Sequence, residues 1–102
     1  RTDADAIAAI KQAADDGDPD VRLAVCGALA NLGDEGSVDI LIKASNAEGW
    51  QRIQAAKACL VLAEKLAAAG KKPAAQKIYR HLKETRKDDE KYLRDLAAAA
   101  LG

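Results

Sequence analysis

One stretch of sequence decides the fold: Asp18-Pro19-Asp20-Val21-Arg22-Leu23-Ala24-Val25, which continues to Leu32-Gly33-Asp34. Asp18 can accept hydrogen bonds from the free amides of a first helical turn, and Pro19 fits the first helical position because no donor is needed there. Apolar residues then recur at steps of three and four, which is the spacing of one helical face: Val21, Ala24, Val25, Ala28, Leu29 and Leu32. Gly33 ends this helix and Asp34 leads into another, so the stretch predicts two helices in close succession.

The composition favours helices throughout the chain. Of the 102 residues, 49% are hydrophobic and 24 are alanine, whereas phenylalanine and methionine are absent. Alanine favours helices and is depleted in strands, and no segment alternates convincingly between apolar and polar residues. Because each alanine buries little area, we expect one small all-α domain of modest stability.

Caps and helix breakers divide the chain into six predicted helices. The bounds, in chain order, are about residues 3–15, residues 19–32, a helix capped by Asp34, one capped by Asn46 that continues to Gly70, one that Pro73 opens and that runs to about Arg86, and one capped by Asp88 that ends near Leu101. The residues expected to face inward are Ile7, Ile10 and Ala14 in the first helix and Val38, Leu41 and Ile42 in the third. The connections are short, so consecutive helices are expected to form antiparallel hairpins.

The D-P-x-V-R start at residues 18–22 and the L-G-D turn at residues 32–34 carry a family resemblance. About residues 5–46 resemble HEAT repeats of the short bacterial type found in phycobilisome-lyase-like proteins. The resemblance implies a stack of helical hairpins, because single repeats cannot bury their apolar face alone. Such stacks usually bind other macromolecules.

A second resemblance begins within the fourth helix. About residues 57–87 resemble a tetratricopeptide repeat through Cys59, Leu62, Ala63, Leu66, Ala75 and Tyr79. This resemblance implies that Ala63 and Ala75 lie where two helices touch, with Tyr79 beside them. The match is partial, because Cys59 stands where that family has an aromatic residue and Lys87 where it has a closing proline.

Together the two resemblances imply an all-α, right-handed superhelix, a solenoid of about three antiparallel hairpins that forms one domain over residues 1–102. Residues 1–46 would be its HEAT-like part, and residues 47–102 a tetratricopeptide-like hairpin with an end-cap helix. In that last helix the expected inward face, packed against the fourth and fifth helices, is Tyr92, Leu93, Leu96, Ala97 and Ala100. The start at Arg1 and the alanines outside the first helix predict a fragment that further repeats precede.

The carboxylates of residues 16–20 imitate the start of a calcium-binding loop. That loop needs glycine where Val21 stands and a bidentate glutamate where Gly27 stands. We therefore interpret these carboxylates as helix caps, which the positive end of the helix dipole favours.

No other residue pattern predicts chemistry. His81, the only histidine, flanks an apolar stripe and is interpreted as a partly exposed boundary residue. Cys26 and Cys59 are interpreted as buried thiols, with a bridge between stacked helices as the alternative. Nucleophile, phosphate-loop and zinc motifs are absent from the sequence, so we expect no catalytic residue, no cofactor and no metal site. No run approaches the ~20 apolar residues that span a bilayer, so we expect a soluble chain without a membrane partner.

Trp50, the only tryptophan, is placed in the first turn of the fourth helix. We expect its ring to cover the open end of the hairpin formed by the second and third helices, because tryptophan usually buries most of its area. The alternative is an exposed anchor for a partner, since tryptophan is enriched among binding hot spots.

Charge divides the chain into two halves. Residues 1–50 carry 4 basic and 10 acidic side chains, a net charge of −6, and residues 51–102 carry 12 basic and 6 acidic side chains, a net charge of +6. The cations concentrate on and around the fifth helix: Lys71, Lys72, Lys77, Arg80, Lys83, Arg86 and Lys87. Three interpretations stay open, namely a solvated helix face, a docking surface for an acidic protein or for a second copy head to tail, and contacts with nucleic-acid phosphates.

The function that the repeat resemblance implies is protein–protein interaction or scaffolding, without catalysis. The residues expected to contact a partner are Lys77, Arg80, Lys83 and Arg86 through their charge and Trp50 through its apolar ring. Binding of a nucleic-acid phosphate backbone by the basic half is the alternative function.

Overall fold

The computed structural model of the protein describes residues 3–13, 17–47, 49–86 and 90–101, with side chains from residue 7 onward. Within these ranges the regular structure is helical: α1 (Asp3–Gln12), α2 (Pro19–Leu32), α3 (Val38–Ser45), α4 (Trp50–Ala68), α5 (Lys72–Thr85) and α6 (Lys91–Leu101), with a 3₁₀ turn at Glu35–Ser37. The predicted all-α fold is confirmed. None of the described helices combines the length and the apolar character needed to cross a membrane.

Both ends of α2 form as the sequence predicts. The side chain of Asp18 accepts a hydrogen bond from the backbone amide of Asp20 at 2.9 Å, and Pro19 opens the helix. Gly33 follows the helix in the left-handed conformation, with φ 67°, which costs least for a residue without a Cβ atom.

The segment between α2 and α4 differs from the prediction. Asp34 does not lead directly into α3, because the 3₁₀ turn lies between them. The Asp34 carboxylate accepts a hydrogen bond from the Ser37 hydroxyl at 2.6 Å. The prediction that Asn46 caps α4 is wrong. Asn46 lies at the C-terminal end of α3, and α4 begins only at Trp50, after Gly49 turns the chain at φ 68°. A positive φ at Gly49 interrupts the helical path and delays the start of α4.

The other termini follow the sequence more closely. Gly70 ends the α4 region with φ 82°, and the amide of Lys71 donates to the carbonyl oxygen of Leu66 at 2.8 Å. Pro73 lies in the first turn of α5, as predicted. Ala14, Asp15 and Asp88, to which we assigned parts of α1 and a cap for α6, lie outside the described residues.

α4 is the central helix of the stack. It packs closely against α2, α3 and α5, whereas α6 packs mainly against α5 and α1 against α2. The Cα atoms extend over 42 × 32 × 15 Å, and the smallest extent matches two layers of helices. In the described part of the chain, α1 and α6 are not among the helix pairs that pack closely, so the stack is open rather than closed into a bundle. Its right-handed twist and its division near residue 46 stay predictions.

One hydrophobic cluster runs through the molecule. α4 contributes the largest share with Ala56, Cys59, Leu62, Ala63 and Leu66, and Ile7 and Ile10 of α1 pack against the cluster from one end. Ala75 and Tyr79 of α5 are buried in it, as predicted. Burial of these small residues is what any closely packed helix pair requires, so it does not distinguish a tetratricopeptide hairpin from other helix pairs.

Two predicted core faces are partly wrong. In α2 the buried residues are Val25, Cys26, Leu29 and Ala30, whereas Ala24 and Leu32 are exposed. In α6 only Leu93 and Ala97 of the expected face are buried, and Tyr92 and Leu96 are more than half exposed. The reason in α6 is its neighbour: the helix packs mainly against α5, so a narrow line of contact buries only one residue per turn.

Candidate partner-binding surfaces

The predicted basic residues of α5 form a row on its exposed face. Lys77, Arg80 and Lys83 are exposed, while the residues on the opposite side of the helix, among them Ile78 and Leu82, are buried. The spacing of three keeps the row on one side of α5. Whether this row contacts a partner stays a prediction.

Acidic side chains from the N-terminal half offset part of the basic charge. Lys77 Nζ lies 2.6 Å from Asp39 Oδ1, and Lys71 Nζ lies 3.6 Å from Glu35 Oε2. Both pairs are exposed, so each stabilises the stack by at most about 1 kcal/mol. The charge available to a partner is therefore smaller than the sequence count implies.

The expectation that Arg86 belongs to the exposed row is wrong. Arg86 is only 4% exposed, and its Nη2 atom donates to the carbonyl oxygen of Ser45 at 3.1 Å. Glu90 lies 3.6 Å from Nη1. The arginine directly follows the last residue of α5, and its side chain caps the C-terminal end of α3 through the hydrogen bond to Ser45 instead of reaching solvent.

His81 lies beside this buried arginine and is half-buried, as predicted. Its Nε2 atom is 3.2 Å from Ser45 Oγ and 3.1 Å from Asn46 Oδ1. Because the Ser45 hydroxyl already donates to the Ile42 carbonyl, we assign the proton to Nε2, from which it is shared between the two oxygens. Burial lowers the pKa of His81, Arg86 and Arg52 lower it further, and Glu84 opposes the shift.

The thiols are buried and free, as the sequence indicated. The Sγ atom of Cys59 donates to the carbonyl oxygen of Leu41 at 3.2 Å. Burial, with Cys26 nearby, raises the pKa of Cys59 to about 12, and burial also raises the pKa of Cys26. Both groups are therefore thiols rather than nucleophilic thiolates at neutral pH.

Trp50 is 57% exposed, so the expectation that its ring covers the hairpin is wrong. It begins an outward-facing row on α4, at steps of three and four residues, that consists of Trp50, Ile53, Lys57 and Val61. α2, α3 and α5 occupy the other sides of α4, which leaves this row, the α4 outer stripe, facing solvent. Its three apolar members are among the exposed large hydrophobic residues of the molecule.

A groove of about 660 Å³ lies between α2 and α3, with the start of α4 at one end. Its lining is mainly apolar and consists of Pro19, Leu23, Cys26, Ile40, Ala44 and Ala47, with Lys11, Arg22 and Lys43 among the charged residues. The groove was not predicted, because one stripe of each helix was assigned to the core and the rest of each helix was expected to face solvent. The sequence contains a signal for the groove, because α2 and α3 each carry a second stripe of residues with the same helical spacing as the stripe assigned to the core.

A family model described as HEAT repeats matches residues 1–61, a range that includes α1, α2 and α3 and continues past the middle of α4. Comparisons with curated proteins and with solved structures found no match. The phycobilisome-lyase-like type and the tetratricopeptide-like hairpin lie beyond what the match supports and stay predictions. HEAT repeats generally mediate protein–protein interaction and are typically non-catalytic. The match covers more than half of the chain, and together with the stacked helical hairpins it places the chain in the HEAT repeat family.

Proposed function

We propose that this chain is a non-catalytic module that binds a protein partner, and that the α4 outer stripe is part of the contact. The observation that carries the proposal is the exposure of Trp50, at 57%, in a row with Ile53 and Val61. Exposed apolar rows of this kind are uncommon on proteins without partners, and tryptophan dominates many interfaces energetically. Membership of the HEAT family supports the same function.

Trp50→Ala tests the proposal. Because the ring is mostly exposed, we expect the free energy of unfolding to change by less than about 0.5 kcal/mol. Binding to the partner is expected to weaken at least about tenfold, as for an interface hot spot. The partner is first identified by photocrosslinking from a benzophenone side chain at position 50, with position 76 of α5, which is also exposed, as the control.

The proposal predicts one recurrent adduct from position 50 that is absent from position 76. It predicts that the purified adduct protein binds the unmodified chain and binds Trp50→Ala more weakly. Equal binding by both chains would rule out Trp50 as a contact, and a lack of any specific adduct from α4 would rule out the stripe.

The alternative function is binding of a nucleic-acid backbone through α5. Arg80 and Lys83 favour it, because in the described part of the chain neither takes part in an ion pair. Two further lysines of the region are paired with carboxylates and Arg86 is buried, so few phosphate contacts are available.

Retention on duplex DNA across a salt series distinguishes the two functions. The logarithm of the affinity falls with the logarithm of the salt concentration by roughly 0.9 for each phosphate contact, so binding through two or three contacts weakens roughly 10- to 40-fold when the salt concentration is raised about fourfold, to about 0.2 M. Retention well above that concentration, and its loss in Arg80→Glu, would favour the alternative over a protein partner.

A further inference from the structure

We propose that the groove between α2 and α3 binds a short acidic amphipathic helix of a partner protein. Apolar side chains of that helix insert between α2 and α3, and its carboxylates lie beside Lys43. This inference deepens the proposed function and rests on it, but it concerns a different surface from the α4 outer stripe.

The walls of the groove have the form of a helix-binding site. Residues 19, 22, 23 and 26 on α2 repeat the same helical spacing as residues 40, 43, 44 and 47 on and after α3. α2 and α3 pack against each other much less than either packs against α4. α4 therefore holds the two walls apart from behind, and the space between their stripes can accept the apolar ridge of a third helix.

The apolar lining argues for a protein segment rather than a nucleic acid. Leu23, Ile40 and Ala44 line the groove and are only partly buried. A phosphate backbone would leave this apolar surface in contact with water. Leucine or isoleucine side chains would bury it, with a favourable free energy of roughly 25 cal/mol per Å².

Charge indicates that the helix is acidic. Residues 1–50 contain four basic and ten acidic residues. Three of the four basic residues line this groove: Lys11, Arg22 and Lys43. Among the described residues of the lining, Asp39 is the one acidic residue, and it pairs with Lys77. Lys11 pairs in turn with Asp34 at 2.9 Å. Lys43 is exposed and takes part in no ion pair within the described residues, so the groove presents a cation to carboxylates on the occupant.

Fluorescence anisotropy with a labelled model peptide tests the proposal. The probe is a helical peptide of about 15 residues with leucine at i, i+3, i+4 and i+7 and glutamate on its other faces. Two control peptides carry lysine in place of glutamate, or the same residues in scrambled order. We expect only the acidic amphipathic peptide to bind, and its binding to weaken as salt rises.

Two variants and their matched controls locate the binding. Lys43→Glu reverses a charge at the groove and should weaken peptide binding at least about tenfold, whereas Lys91→Glu, at an exposed position of α6, should change binding less than about twofold. Ala44→Phe fills the groove and should abolish binding, whereas Ala68→Phe, at an exposed position of α4, should not. Thermal unfolding of each variant verifies that it is folded.

The thiol in the groove provides a second readout. Cys26 lines the groove but is only 2% exposed, so its alkylation requires opening of the structure. The bound peptide favours the closed, folded chain and should slow alkylation of Cys26, as measured by mass spectrometry. Unchanged alkylation of Cys26 at saturating peptide would overturn the proposal.

Three other results would also overturn it. These are absence of binding, equal loss in Lys43→Glu and Lys91→Glu, and a dimer of the free chain that Ala44→Phe abolishes, which would make a second copy the occupant. Because Gln51 lines the groove beside Trp50, photocrosslinking from position 61, at the other end of the α4 outer stripe, separates the two surfaces. The proposed function survives if the peptide fails and a partner crosslinked from position 61 remains. It fails if that partner is absent.

Discussion

The guanidinium of Arg86, rather than water, forms a hydrogen bond with the C-terminal end of α3. It donates to the carbonyl oxygen of Ser45 and shares Glu90 with Arg52, whose Nε atom lies 2.9 Å from the same carboxylate oxygen. In the described part of the chain, Nε and Nη1 of Arg86 lack a hydrogen-bond partner. Such groups are costly to bury, so the site is stabilised by the charge of Glu90 rather than by complete hydrogen bonding.

Arg86→Ala is therefore expected to destabilise the protein by about 2 kcal/mol, because it leaves a void and removes the donor to the Ser45 carbonyl oxygen. Arg86→Met fills the volume, and Glu90 keeps Arg52 as its partner, so this variant should cost less. Urea unfolding of both variants measures the difference. Unfolding free energies equal to that of the original protein would contradict a structural role for Arg86.

His81 makes the stability depend on pH. Its pKa is lowered in the folded protein, so below the ordinary histidine value of about 6.5 the unfolded chain binds more protons than the folded one. We therefore expect the free energy of unfolding to fall as the pH is lowered from about 7.5 to 5.5. His81→Gln removes the only histidine and should remove this slope. An unchanged slope in the variant would assign the pH dependence to other groups.

At the scale of the helices, the termini decide how the hairpins join. Gly33, Gly49 and Gly70 each turn the chain with a positive φ, which bulkier residues adopt only with strain. α4, at 19 residues, is the longest described helix and the one against which α2, α3 and α5 pack. Its start at Trp50 rather than near Asn46 leaves Asn46 free of α4 and close to His81.

The glycines give a matched test of these termini. Gly27 lies inside α2, and an added Cβ would meet no atom within 4 Å, so Gly27→Ala should stabilise the protein by about 0.5–1 kcal/mol. Gly70 has equal space but a φ of 82°, so Gly70→Ala should destabilise it by about 1 kcal/mol. Chemical denaturation measures both, and effects of the same sign would contradict the assigned conformations.

At the scale of the whole molecule, the stack brings the acidic and basic halves together. The segment from Glu35 to Asp39 faces α5, and the pairs with Lys71 and Lys77 cross between them. Some of the opposite charges of the two halves, whose net charges are −6 and +6, therefore pair and stabilise the contact between neighbouring hairpins. Head-to-tail association between copies stays a prediction.

Exchanging one pair of charges tests this contact. Lys77→Asp and Asp39→Lys should each lower the free energy of unfolding by about 0.5 kcal/mol, because each places like charges side by side. The double variant restores an opposite pair and should recover most of the loss in low salt. At about 1 M salt the differences should vanish. Additive losses in the double variant would show that the two residues do not interact.

The sequence by itself determined the local structure. The Asp18 cap, the glycine turns at 33 and 70 and the helical type of the six described helices follow from residue type and spacing, because caps, turns and alanine-rich helices are decided by neighbours a few residues away. Only the tertiary structure decided which apolar residues are covered. Leu32, Trp50 and Leu96 are exposed and Arg86 is buried because burial depends on where the next helix lies. The groove depends on the same positions, since α4 holds α2 and α3 apart, and no spacing within one helix specifies the distance to another.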